Sequence, residues 1–204
     1  MIRPLRAAAC ILVATTAAAP ALANEIDLSS WVELTLDYPG GQGAGNWILA
    51  PDNKSVTQVI NADPSFYRNN VSQLSYTIDG TWQVLQTGGD DDYMGFAFGY
   101  QNSSNFYLFD WKQSGQGYVG RTAAEGMTIK RFTGATGNGL TDLSLEEFWE
   151  NQVSFGDMVV LAKNHGSDKG WLDNVLYTFH LDYNVTPGEL HIVVSQGATV
   201  LWDT

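Results

Sequence analysis

The chain has 204 residues, of which 22 are Asp or Glu and 10 are Lys or Arg, giving a net charge of −12. A surface this acidic repels nucleic acid and anionic membranes, so we exclude both as predicted partners. It favours cations, and calcium is the abundant extracellular one, although acidity also serves solubility alone. Residues 24–204 are long enough for one sizeable core, and no linker, repeat or low-complexity tract divides them. We therefore predict a single domain.

The N-terminus has the pattern of a signal peptide. Arg3 and Arg6 form a short positive region, an Ala-rich apolar stretch follows over residues 7–19, and Pro20 ends it. The small residues that precede the predicted cleavage point end at Ala23, so residues 1–23 are predicted to be removed. The apolar stretch is shorter than the roughly 20 residues that span a bilayer, so we expect export rather than membrane insertion.

The only cysteine, Cys10, lies inside this predicted signal. The exported domain, residues 24–204, would therefore have no disulfide. Its hydrophobic core must be large enough to be stable without covalent cross-links.

After residue 28 the chain is a succession of short apolar runs separated by Gly, Asn and Asp, which predicts an all-β sandwich or jelly roll. Residues 114–120 are predicted to be a loop. One short helix is expected to begin after Ser144, which forms a capping box with Glu147, and to reach about residue 151. The predicted strands are residues 31–36, 47–50, 56–61, 74–78, 81–86, 93–100, 106–112, 127–132, 157–162, 175–183, 189–195 and 199–202.

Residues 94–100 alternate large and small side chains. In a regular strand, Met94, Phe96, Phe98 and Tyr100 would share one face, and the small residues between them would let a second layer approach closely on the other. Among the aromatic residues, we assign Trp47, Phe98 and Phe106 to the core. The sequence does not decide between core and surface for Trp111 and Trp171.

The densest polar cluster is the run Asp90, Asp91 and Asp92, which follows two glycines and precedes a strand. Three adjacent carboxylates repel one another unless water or a cation separates them. Calcium takes about six to eight oxygen ligands, and a Gly-bearing loop can supply several. The sequence therefore makes Asp90, Asp91 and Asp92 candidate calcium ligands, with a solvated acidic turn as the alternative.

The sequence gives catalysis little support. The three histidines have no metal-binding spacing, and His180 and His191 lie inside predicted strands, which favours a place on a sheet face. No Gly-x-Ser-x-Gly motif and no glucanase-type Glu-x-Asp-x-Glu strand occurs. The obvious glutamates for a glycosidase are Glu146, Glu147 and Glu150, but they lie on the short predicted helix, where the capping role accounts for Glu147.

Residues 90–113 resemble the central motif of the thrombospondin C-terminal domain family. The motif runs Asp-Asp-Asp-Tyr-Met-Gly-Phe-Ala-Phe-Gly-Tyr-Gln, continues through Ser-Ser and Phe-Tyr, and ends at Trp111-Lys112-Gln113. Four other segments match the family in order: residues 46–48, 59–64, 126–130 and 170–173. We expect that the chain, which stops at Thr204, lacks the family's last strands, and residues 1–89 contain none of the Asp-rich calcium repeats that precede the module in thrombospondins.

The resemblance implies a jelly-roll β-sandwich of the concanavalin A-like lectin and glucanase type. It also implies a secreted, non-enzymatic, calcium-binding module that acts in cell adhesion or surface recognition, with an extracellular protein or a glycan as partner. The acidic run Asp90, Asp91 and Asp92 matches the family's acidic triplet. Two alternatives stay open: a jelly-roll carbohydrate-active enzyme, since fold alone does not decide function, and a structural surface component without a ligand.

Overall fold

The computed structural model describes residues 25–85, 91–186 and 188–204. The described residues form fourteen strands and two short helices, and the strands pair antiparallel. The predicted all-β sandwich is therefore confirmed. The predicted signal peptide, residues 1–23, lies outside the described residues and stays a prediction. Within the described ranges no helix has the length and apolar character needed to cross a membrane.

Two four-stranded sheets make up the body of the fold. The front sheet has the order β11–β10–β7–β6, in which β6 is Tyr93–Asn102, β7 Asn105–Lys112, β10 Gly126–Thr133 and β11 Met158–His165. The back sheet has the order β14–β13–β12–β5, in which β5 is Ser75–Trp82, β12 Tyr177–Asn184, β13 Glu189–Gln196 and β14 Thr199–Asp203.

The main core lies between the two sheets. Phe109 and Ile129 of the front sheet pack in one buried cluster with Leu181 and Ile192 of the back sheet. Both tryptophans left open by the sequence, Trp111 and Trp171, belong to this cluster, as does Phe98.

The front sheet is also covered on its other face. There Phe106, Leu108 and Phe132 form a second buried cluster with Phe148, a residue of helix α2, Leu145–Trp149. Helix α1, Gly139–Asp142, precedes it and was not predicted from the sequence, which indicated only one helix. The capping interaction predicted for α2 is present, since the Glu147 carboxylate accepts a hydrogen bond from the Ser144 backbone N–H at 2.6 Å. Burial on both faces explains why β7 is apolar at consecutive positions.

Three two-stranded ribbons complete the described structure. The sequence missed β4 (Ser65–Arg68), β8 (Gln116–Tyr118) and β9 (Arg121–Ala123), which have only three or four residues each, and β8 lies within the segment predicted to be a loop. Trp47, assigned to the core, is only partly buried in a ribbon, where its indole Nε1 donates to the Ser65 hydroxyl at 2.8 Å. The pairs are β1 Val32–Thr35 with β4 Ser65–Arg68, β2 Trp47–Leu49 with β3 Val56–Gln58, and β8 Gln116–Tyr118 with β9 Arg121–Ala123.

Two glycines account for differences between the predicted and the observed strands. The sequence predicts separate strands on either side of Asp79 and Gly80, but β5 runs through both residues. The ring of Phe179 fills the space that a Cβ at Gly80 would need. Gly99 has a φ of +56° and lies where the register of β6 against β7 shifts. This irregularity places Tyr100 in the second cluster, not with Phe98 in the main core as predicted.

Phe109 provides a test of the main core. Its side chain is fully buried, with its ring centroid 5.0 Å from that of Phe96 and 5.8 Å from that of Trp82. We expect Phe109→Ala to lower the free energy of unfolding by about 3–5 kcal/mol, because it removes buried apolar area and leaves a cavity. Leu161→Ala, at a half-exposed position of β11, should cost about 0.5 kcal/mol. Urea denaturation measures both, and equal losses would contradict this account of the core.

Candidate functional site

The acidic loop, Asp90–Asp92, leads into β6. Asp90 lies outside the described residues, so its predicted role as a ligand stays a prediction. Asp91 and Asp92 are described, and their side chains are 29% and 23% exposed. They therefore lie at the surface but are not freely solvated.

A buried lysine lies directly behind these two carboxylates. Lys112 ends β7 opposite Tyr93, the first residue of β6, and its side chain is completely inaccessible to solvent. Its ammonium group donates to the Asp91 carbonyl oxygen at 2.6 Å, and to the Oε1 atom of Gln116 at 2.8 Å. It also lies 3.2 Å from the Oδ1 atom of Asp91 and 3.3 Å from that of Asp92. A positive charge is thus already present on the inner side of the acidic loop.

Three further side chains hold the loop. The Ser114 hydroxyl donates to the second carboxylate oxygen of Asp91, and the Asn61 amide lies 3.4 Å from the Oδ2 atom of Asp92. The indole Nε1 of Trp171 donates to the Asp92 carbonyl oxygen at 3.1 Å. Partial burial alone would raise the pKa of Asp91, but the hydrogen bonds from Ser114 and Lys112 outweigh it and lower the pKa below its usual value.

Separate sequence segments therefore meet at one place. Asn61, Lys112 and Trp171 belong to three of the segments that carry the family resemblance, and all three contact Asp91 or Asp92. They come from positions up to 110 residues apart, so only the folded sandwich brings them together. Three of the five segments that carry the resemblance thus meet at the acidic loop.

Comparison with known proteins identifies the family of this chain. The sequence model of the thrombospondin C-terminal region matches residues 42–204. The chain belongs to the thrombospondin C-terminal family. It is 30% identical to thrombospondin-2 of Bos taurus over 187 residues, which is 89% of this chain and 16% of that protein. It is 29% identical to thrombospondin-3b of Danio rerio over 184 residues, which is 87% of this chain and 19% of that protein.

A third relative, thrombospondin-1 of Xenopus laevis, is 30% identical over 164 residues, which is 78% of this chain and 14% of that protein. This chain thus spans less than a fifth of the length of each of these thrombospondins.

A second set of charged residues lies beneath the acidic loop of this thrombospondin-type domain. The buried Lys130 ammonium is 2.7 Å from the Oδ2 atom of the buried Asp110 and donates to the Phe148 carbonyl at 2.6 Å. Burial raises the pKa of Asp110 and lowers that of Lys130, while their mutual attraction opposes both shifts. The ring of Tyr93 lies 5.1 Å from the Lys130 ammonium and 5.8 Å from that of Lys112. One aromatic ring therefore contacts both buried cations.

Two of the three glutamates considered for a glycosidase, Glu147 and Glu150, have structural partners. The Glu147 carboxylate is buried and accepts from the backbone N–H groups of Ser144 and Asp157. Glu150 is also buried and accepts from the Gln152 backbone N–H at 2.8 Å. These contacts account for both carboxylates as anchors of the chain around helix α2.

Two features of the structure were not predicted from the sequence. Lys112 was not predicted to pair with the acidic loop, although a lysine at the end of a largely apolar strand indicates a buried cation that needs an acidic partner. The sequence predicted that His180 and His191 lie on a sheet face but not that their side chains are close together. Their rings lie 6.1 Å apart, centroid to centroid, on adjacent strands.

Replacing Lys112 tests whether this ammonium holds the acidic loop. We expect Lys112→Met to lower the free energy of unfolding by about 2 kcal/mol, because it leaves the Asp91 carbonyl and two carboxylates without their buried donor. Lys163→Met removes a lysine that donates to Gln152 from an exposed position and should cost about 0.5 kcal/mol or less. Chemical denaturation compares the two, and similar losses would contradict the anchoring role of Lys112.

Proposed function

We propose that this chain is an extracellular calcium-binding module of the thrombospondin C-terminal type, acting in adhesion or surface recognition. Calcium would bind at the acidic loop through Asp90, Asp91 and Asp92. The observation that carries the proposal is the convergence of the family's sequence segments on this loop. The acidic composition and the predicted signal peptide, residues 1–23, also support it.

The chemistry of the loop suits a hard cation. Each carboxylate offers about four acceptor positions, so an oxygen that contacts the Lys112 ammonium can also coordinate a metal ion on its outer side. Calcium tolerates irregular geometry and accepts backbone carbonyls and water beside carboxylates. Lys112 would hold the inner oxygens in place before the ion arrives, which lowers the entropic cost of ordering the loop on binding.

Recognition of a partner would then be a property of the sandwich surface. We propose a lectin-like role without catalysis, with an extracellular protein or a glycan as the partner. The burial of Glu147 and Glu150 and their hydrogen bonds to backbone amides weigh against the glycosidase alternative, because neither carboxylate is exposed to a substrate.

Calcium-dependent stability tests the metal site. We expect millimolar calcium to raise the unfolding midpoint of the parent chain relative to EGTA, by about 2.7 kcal/mol of stability at a hundredfold excess over the dissociation constant. Asp91→Asn/Asp92→Asn should lose most of this rise, whatever its stability in EGTA. Differential scanning calorimetry gives the calcium-dependent difference for each protein.

The matched control is Glu33→Gln/Asp37→Asn, which removes two exposed carboxylates at and after β1. It loses the same charge and should keep the full response to calcium. A response lost equally in both double variants would mean that calcium acts through overall charge. A response unchanged in Asp91→Asn/Asp92→Asn, or missing in the parent, would refute the site.

Adhesion needs its own test. We expect the purified chain to bind at least one component of a panel of glycans and extracellular matrix proteins in calcium, and more weakly in EGTA. Solid-phase binding with a heat-unfolded sample as control measures this. A panel without any binding, for a chain that does respond to calcium, would favour the structural surface component instead.

A further inference from the structure

The outer face of the back sheet carries a compact group of histidines and carboxylates. His180 and Asp182 are two residues apart on β12, so both side chains point away from the core. His191 of β13 is paired directly with Asp182 in the register. One donor atom from each of His180, Asp182 and His191 lies within 4.8 Å of the other two.

The two imidazoles converge on one carboxylate oxygen. The Nε2 atom of His180 lies 3.0 Å, and the Nδ1 atom of His191 3.8 Å, from the Oδ2 atom of Asp182. In a tetrahedral zinc site with metal–ligand bonds of about 2.0–2.1 Å, neighbouring donor atoms lie about 3.3 Å apart. The separations of the two imidazole nitrogens from the Asp182 oxygen, 3.0 and 3.8 Å, lie on either side of this value.

In each histidine, the ring nitrogen that faces away from Asp182 contacts a carboxylate. The Nδ1 atom of His180 lies 2.8 Å from the Oδ1 atom of Asp79, and the Nε2 atom of His191 lies 2.8 Å from the Oδ1 atom of Asp203. The Thr77 hydroxyl donates to the other oxygen of Asp182. A carboxylate on the far nitrogen is the usual support of a metal-binding histidine, because it fixes the tautomer and the ring orientation and increases the basicity of the ligand.

We propose that His180, Asp182 and His191 form a binding site for zinc or a similar divalent transition-metal ion. Two imidazole nitrogens and one carboxylate oxygen suit zinc, whereas calcium prefers oxygen ligands alone. The site is distinct from the acidic loop and does not depend on the proposed function. With three protein ligands, the fourth position of the ion faces solvent and is open to water or to a donor group of a partner molecule.

Protons compete with the metal at this site. Metal binding needs the proton to leave the nitrogen that faces Asp182, while the other nitrogen keeps its proton and donates to Asp79. Protonation of the first nitrogen and binding of zinc therefore exclude each other, so zinc affinity should fall as the pH is lowered.

Calorimetric titration of the full chain with zinc chloride, after removal of bound metals, tests the proposal. At about pH 7.5 we expect one zinc ion per chain, and at about pH 5.5 binding at least tenfold weaker. His180→Asn/His191→Asn should abolish binding. Asp79→Asn, which keeps all three ligands but removes the support of His180, should weaken it by about 10–100-fold.

Two controls make the outcome specific. The third histidine, His165, is the last residue of β11 and contacts the Thr128 hydroxyl of β10. His165→Asn should leave zinc binding unchanged. Asp91→Asn/Asp92→Asn should also keep it, and millimolar calcium should not compete. Circular dichroism confirms that each variant is folded. Absence of zinc binding by the parent at about pH 7.5, or equal binding by His180→Asn/His191→Asn, would overturn the proposal.

Discussion

The buried ammonium of Lys112 is the interaction on which the arrangement of the site depends. Moving an ammonium out of water costs several kcal/mol unless it is paired and fully hydrogen-bonded. Lys112 meets this requirement only if Asp91, Asp92 and Gln116 are brought to it. The same pairing holds the acidic loop against the end of the front sheet. The cost of burying one charge thus fixes the position of a loop that otherwise consists of mutually repelling carboxylates.

This constraint connects the site to the architecture. The front sheet is buried on both faces, so Asp110 and Lys112 of β7 point into the layer beneath helix α2 and not into solvent. Lys130 on the neighbouring strand pairs with Asp110 in the same layer, and the Tyr93 hydroxyl donates to the Trp149 carbonyl at 2.7 Å. A polar network therefore links the acidic loop, β10 and helix α2, while the apolar core between the sheets remains separate. The outer face of the back sheet is free to carry a different chemistry.

Local patterns were sufficient for much of the fold. Apolar runs and turn residues indicated most of the strands, and the Ser144–Glu147 pair indicated the helix. The errors came from long-range contacts: Gly80 lies in a strand because Phe179, a hundred residues later, covers it. The sequence showed the acidic run but could not pair it with Lys112, and it could not place His191 opposite Asp182, because strand register is set by the folded sheet.

We propose that the acidic loop is a calcium site built on Lys112. A crystal structure of the chain grown in calcium, with the ion identified by anomalous scattering, would test this proposal. We expect one calcium ion within about 2.3–2.6 Å of carboxylate oxygens of Asp91 or Asp92, with Lys112 on the opposite side of the loop. Loop carboxylates that contact only Lys112 and water under these conditions would contradict it.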